Sequence, residues 1–220
     1  MKTLGMQINN VPVYMISMSD HPISVMYQRH VQKSWKGYNL KQFEAITPKD
    51  LVYKNTLRFT TKTTGKKREF TSTEKAVWYS HFELWCKCVN AGPLIIIEHD
   101  SKLVKPLPDM SKEGYKFLSF IYRDYGPKGK HIAPGSGYYI TPPVAERLVA
   151  NAVSKPIHMN SDGHLASIMN EAKQIKMNDF YYIEQINFDG LNTIDHKSPN
   201  RIFIGPDYED FDVPSVHGQA

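Results

Sequence analysis

The chain is short of cysteine: of its 220 residues only Cys86 and Cys88 carry a thiol. Two positions apart on a helix, they point to different faces and cannot bridge one another. That excludes a disulfide framework and a Cys-rich structural zinc site, and it suits a reducing cytoplasm. Long apolar runs are also missing. No stretch approaches the roughly 20 residues that cross a bilayer as a helix. Between Met1 and Val13 no basic region precedes an apolar one, so the expectation is a cytoplasmic protein without a signal peptide. There is no internal repeat and no long low-complexity tract, which argues against solenoid architectures. What is present suits a packed globular core: 41% hydrophobic and 22% charged residues.

Charge is unevenly placed. From Arg29 to Lys75 twelve Lys or Arg face four acids, a balance of +8 within a chain of net charge +5. Such a concentration suits a polyanionic partner, whether nucleic acid, anionic lipid or phosphorylated glycan; a solvated lysine-rich face is the plain alternative. Residues 206–220 carry four acids, Asp207, Glu209, Asp210 and Asp212, and have the character of a tail. The expected organisation is one domain over 1–205 followed by this acidic tail.

Strands and helices alternate along the chain. Val11 to Met18 is a first strand, and Ser19 or Asp20 caps a helix over Ile23 to Trp35. Lys41 to Ile46 is a second strand. Thr60 to Phe70 is polar, basic and turn-like around Gly65, the signature of a loop or hairpin tip. Ser72 to Asn90 is the clearest helix, opening at Ser72/Thr73 and stopped by Gly92-Pro93. A strand over Tyr115 to Tyr122 precedes a Gly- and Pro-rich loop from Gly126 to Gly137. Gly137 to Thr141 is a short apolar segment before a helix from Val144 to Val153. Ser161-Asp162 caps a helix over His164 to Lys176, and Phe180 to Ile186 is a last strand. This alternation predicts an α/β three-layer domain with a mostly parallel central sheet.

One segment points to chemistry. Leu94-Ile95-Ile96-Ile97 has the character of a strand buried on both faces, and it ends abruptly in Glu98-His99-Asp100. Acids are costly to bury, so the strand must end where they begin. In open α/β sheets ligands bind at the carboxyl ends of strands. Acids there suit a divalent metal gripping a diphosphate; a plain solvated strand end is the commoner alternative.

Several segments together resemble glycosyltransferase family 25, whose members extend lipopolysaccharide or glycosylate collagen. They are Val13-Tyr14-Met15-Ile16-Ser17-Met18 with Arg29; Phe43-Glu44-Ala45-Ile46; Thr73-Glu74-Lys75-Ala76 with Ser80-His81 and the acid-tipped strand; Gly137-Tyr138-Tyr139-Ile140 with Ala145; Asp162 at a helix start; and Glu184-Gln185 with Thr193-Ile194. His99 departs from the family's usual aspartate. The resemblance implies a GT-A-like domain, a nucleotide-sugar donor, a divalent metal (manganese or magnesium) and inversion at the anomeric carbon. It implies metal ligands at Asp100 and, if imidazole replaces the carboxylate, His99. Ser17, Ser19, Arg29, Glu98 and Gln185 are the expected donor contacts, and Asp162 the general base. Glu74 and His81, seven apart on one helix face, are expected to anchor nearby loops.

The acceptor is a separate matter. The basic segment places Lys62, Lys66, Lys67 and Arg68 beside Phe59, Phe70 and Trp78. Basic residues interleaved with aromatics clamp phosphates and stack bases, which favours hydroxymethylated DNA of the phage type as acceptor. A lipopolysaccharide or other anionic surface glycan is the alternative. A non-catalytic module that binds nucleic acid or a partner is a third reading, permitted by His99.

Overall fold

The computed structural model describes residues 10–62, 67–110, 114–124, 130–132, 134–171 and 182–186. The chain forms β1 (Val13–Ser17), α1 (Pro22–Ser34), β2 (Leu40–Glu44), α2 (Ser72–Ala91), β3 (Leu94–Glu98), β4 (Ser101–Leu103), β5 (Phe117–Ser119), β6 (Tyr122–Asp124), β7 (Lys130–Ile132), β8 (Gly137–Ile140), α3 (Pro142–Ser154), α4 (Ser161–Glu171) and β9 (Ile183–Gln185). The main sheet has the order β2-β1-β3-β8-β5. β1 is parallel to β2 and β3, while β8 is antiparallel to both its neighbours. Four of the five strands therefore run one way, as the alternating sequence predicts.

Alternation along β3 divides the core. Leu94 and Ile96 pack on one face with α2, α3 and α4 residues such as Trp78, Trp85, Leu148 and Leu165. Ile95 and Ile97 pack on the other, with Val31 and Trp35 from the α1 side and Ile183 from β9. Successive side chains of a strand point to opposite faces, so four aliphatic residues in a row require cover on both. The result is three layers, with the two-stranded β4–β9 pair beside α1. The Trp35 indole N–H donates to the Ser101 carbonyl at 2.8 Å, tying the end of α1 to β4.

Local chemistry sets the ends of α2. The Thr71 hydroxyl accepts from the Glu74 N–H at 3.1 Å, and the Glu74 carboxylate accepts from the Thr71 N–H at 3.0 Å. This reciprocal box satisfies two of the donors a helix start leaves bare. At the far end Gly92 adopts φ +101°, a conformation side chains disfavour, and the chain turns into β3. Glu74 also accepts from Lys62 Nζ at 2.8 Å and from both Arg68 terminal nitrogens at 2.7 and 2.8 Å. Residues 62 and 68 form an antiparallel bridge, so this buried carboxylate clamps the base of the basic segment to α2.

Several boundaries differ from those expected. The cap of α1 is His21, whose ring accepts from the Ser24 N–H at 3.5 Å, in place of Ser19 or Asp20. The cap of α2 is Thr71, one residue before the expected Ser72/Thr73. Asn160 takes the place expected of Ser161 and Asp162 at α4: its side-chain oxygen accepts from the Gly163 N–H at 3.2 Å. Ser161 and Asp162 therefore lie in the first turn. The strand expected over Tyr115 to Tyr122 divides at Phe120 into β5 and β6, because the Phe120 N–H and carbonyl bond to Gly137 and Tyr182. The expected Gly126–Gly137 loop contains β7, which pairs with β6. Lys66, residues 172–181 and the acidic 206–220 segment lie outside the described residues.

Burial pushes the Glu74 carboxyl up, but the bonds from Arg68, Lys62 and Thr71 outweigh it and hold it at about 2. A carboxyl depressed in the folded state stabilises above its unfolded value, near 4.5, and loses that contribution as pH falls toward 2. We expect Glu74→Gln to cost about 2 kcal/mol at neutral pH through the broken cap and ion pairs. The wild-type advantage should shrink between pH 4.5 and 2, followed by denaturant unfolding of both proteins.

Candidate active site

Parallel strands bring their carboxyl ends to one edge. Ser17, Glu44 and Glu98 end β1, β2 and β3 there, and the antiparallel β8 starts there at Gly137. The register sets Ile16 beside Glu98. The short 3-10 turn Pro134–Ser136 leads into β8, and the Ser101 hydroxyl donates to the Ser136 carbonyl. β9 closes the same edge from the other side: Gln185 pairs with Ser101, and the Ile186 N–H donates to the Asp100 carbonyl at 2.8 Å.

The three residues at the tip of β3 diverge. Glu98 continues the α2 face, with one oxygen 3.8 Å from His81 Nε2. His99 lies across from it: its ring donates to the Ile16 carbonyl and packs against Tyr27, with centroids 5.5 Å apart. Burial drives the His99 pKa down to about 4, so the ring is neutral at pH 7. Asp100 is half-buried, but its Oδ1 is buried and has no hydrogen-bond partner. Burial, reinforced by the charge of Glu98, pushes the Asp100 carboxyl up to about 7. Ser17 Oγ is likewise buried without a partner.

A narrow hollow lies beside this tip, lined by His81, Trp85, Gly135, Tyr138, Ser161, Asp162 and Leu165. As the side chains stand it has no room even for a water molecule, so it is a packing gap and not a formed ligand pocket. Tyr138 stands at its centre. Its hydroxyl accepts from the Trp85 indole N–H at 2.8 Å and lies 3.0 Å from His81 Nδ1. Burial lowers the His81 pKa to about 4 against the opposing charge of Asp162. Gly135 is needed for space: a Cβ there would lie 2.2 Å from Asp162 Oδ1.

Ser17, Glu98, Asp100 and Gln185, all expected from sequence, come together at this edge, and Asp162 joins them through the hollow. Other residues are placed elsewhere. Ser19 is exposed, and its N–H donates to the Glu44 carboxylate at 2.9 Å. Arg29 is exposed along the middle of α1. Lys62 and Arg68 are held by Glu74, while Lys67 is exposed. Glu74 anchors a loop as expected. Ser80, of the Ser-His pair, does so too, accepting from the Ile46 N–H at 2.9 Å. His81 faces β8 instead. Sequence reasoning gave no site role to Trp85 or Gly135, and met Tyr138 only within the Gly137–Ile140 motif and Ser161 only as a helix cap. A signal existed for Trp85, which follows His81 by four residues and so shares its helix face.

Residues 10–118 match the model of glycosyltransferase family 25, described as an LPS biosynthesis protein. Over that span the chain belongs to glycosyltransferase family 25. The matched span runs from before β1 into β5 and contains the acid tip and His81; Tyr138 and Asp162 lie beyond it. No curated protein matches the chain in sequence. Among the described residues no helix is long and apolar enough to cross a membrane, and no three His, Cys, Asp or Glu side chains converge as ready-made metal ligands.

A carboxyl raised in the folded state binds its proton more tightly than the unfolded chain does. Its cost is absent below the unfolded pKa, near 3.8, grows as pH rises, and levels off above about 7. In metal-free buffer the family-25 chain carrying Asp100→Asn should match wild type in thermal stability near pH 4. It should exceed wild type at pH 8; a constant difference across that range would contradict the burial of an ionisable Asp100.

Proposed function

We propose that this glycosyltransferase moves a sugar from a nucleotide-sugar donor to an acceptor hydroxyl with inversion. The observation that carries the reading is the family match over a span in which β3 ends at Glu98 and is followed by Asp100, beside the hollow that contains Asp162. Ser17 and Gln185 flank the diphosphate and Glu98 meets the donor sugar. Ser19 and Arg29 belong to the approach on the nucleotide side.

Asp100 Oδ1, a buried oxygen without a hydrogen-bond partner, fits a hard divalent cation such as manganese or magnesium. His99 is left out of this ligand set because its ring is turned to the Ile16 carbonyl. When bound, the cation supplies charge to stabilise the departing diphosphate. Asp162 takes the proton of the acceptor hydroxyl as its oxygen attacks the anomeric carbon. The bond to the diphosphate oxygen breaks with its electron pair leaving on that oxygen. Gly135 leaves the space in which the Asp162 carboxylate stands.

For the acceptor we propose a surface glycan of lipopolysaccharide type, in keeping with the family's description. Hydroxymethylated DNA loses ground: the family match gives it no support, and Lys62 and Arg68, half of the expected phosphate clamp, are engaged by Glu74. Mass spectrometry of products, after a panel of nucleotide sugars is offered with a lipopolysaccharide core and with hydroxymethylcytosine DNA, decides between them. No product and no donor hydrolysis would favour a non-catalytic module.

Asp162→Asn should lower transfer by about 10²–10⁴-fold while leaving donor binding nearly intact, because a base acts on the acceptor. Joint loss of donor binding and thermal stability would make Asp162 structural. Gly135→Ala should lower turnover with it, by displacing the same carboxylate, while thermal unfolding stays cooperative.

A further inference from the structure

The donor count around Tyr138 has one economical solution. An indole nitrogen only donates, so the Trp85–Tyr138 bond uses a lone pair of the tyrosine oxygen. The tyrosine has one proton to give, and His81 Nδ1 is 3.0 Å away. Tyr138 and His81 are both buried, so an ungiven proton would be a costly orphan. If Tyr138 donates to Nδ1, the His81 proton resides on Nε2. That nitrogen is buried, has no hydrogen-bond partner, and lies 3.8 Å from Glu98 Oε1. In the opposite tautomer a bare Nε2 lone pair would face a carboxylate oxygen, and the tyrosine proton would be stranded as well.

The geometry points to a directional relay, Trp85 to Tyr138 to His81, that fixes the imidazole as the Nε2–H tautomer and aims its proton at Glu98. Closing the last gap by about 1 Å makes it a hydrogen bond of ordinary length. His81 is then a positioning residue, which sets the orientation of the Glu98 carboxylate through Oε1. This rests on the donor contact proposed for Glu98. It also accounts for a neutral histidine on the α2 face, where a protonated one would need a fully made ion pair to offset its burial. Asn at position 81 preserves a group near Nδ1, facing Tyr138; Gln places its amide nearer to Nε2, facing Glu98.

Long-range proton–nitrogen correlation spectra of isotopically labelled histidine read the tautomer directly, with His81 assigned by its loss in His81→Asn. Wild type should show His81 protonated on Nε2, and Tyr138→Phe should move it toward the Nδ1–H form. In donor kinetics His81→Asn should raise the donor KM or lower kcat/KM by about tenfold or more, as removal of an orienting partner does. His81→Gln should recover most of that loss. A wild-type His81 protonated on Nδ1 overturns the relay. So do equal losses in the Asn and Gln variants when both unfold at the wild-type temperature. Absence of transfer by wild type with every donor would instead count against the function proposed above, and the tautomer spectrum would still decide the relay.

Discussion

The cost of burying charge organises this molecule. β3 lies between β1 and β8 in the sheet and is covered on both faces, so nothing ionic is tolerated along Leu94–Ile97. The acids that follow emerge only where the strands end, and parallel β1 and β2 end at the same edge. The acid-bearing carboxyl edge is therefore a consequence of the core. β8 contributes Tyr138 directly opposite Ile96, at the inner wall of the hollow. α2 contributes His81 and Trp85 from above. A single helix, clamped at its start by Glu74 and stopped by Gly92, thus fixes the histidine's position along the sheet.

The same physics sorts the histidines and acids into roles. His81, His99 and His164 are each desolvated enough to be neutral at pH 7. Only His81 points an unpartnered nitrogen toward a carboxylate. His99, which departs from the family's usual aspartate, turns to a backbone carbonyl and an aromatic ring. The position has become part of the packing between β1, β3 and α1. Glu74 illustrates the opposite outcome for an acid. Surrounded by Lys62, Arg68 and the Thr71 N–H, it stays ionised and draws two cations of the basic segment onto the helix. A cluster of like charge in sequence is thereby partly neutralised in space, which is why the charge count overstated its availability to a polyanion.

The alternating elements, the doubly covered β3, the α2 stop at Gly92-Pro93 and the placement of acids at a carboxyl edge were legible in the sequence. Each follows from local periodicity or from the cost of burying a charge. The family resemblance stood on quoted motifs and agrees with the match over residues 10–118. Less legible were the caps at His21, Thr71 and Asn160. Several adjacent residues there have capping side chains, and only the angle of chain entry chooses among them.

What local sequence could not contain is which side chains meet across the fold. The antiparallel insertion of β8, the division of β5 from β6 at Phe120, and the pairing of Gln185 with Ser101 are contacts between distant segments. Their partners are chosen by sheet register. The Trp85–Tyr138–His81 relay joins α2 to a strand more than fifty residues later. Sequence alone determined an α/β chain with a buried strand that must expose its acids at one end. Tertiary structure decided which histidine those acids face, because hydrogen-bond direction depends on three-dimensional neighbours that periodicity does not encode.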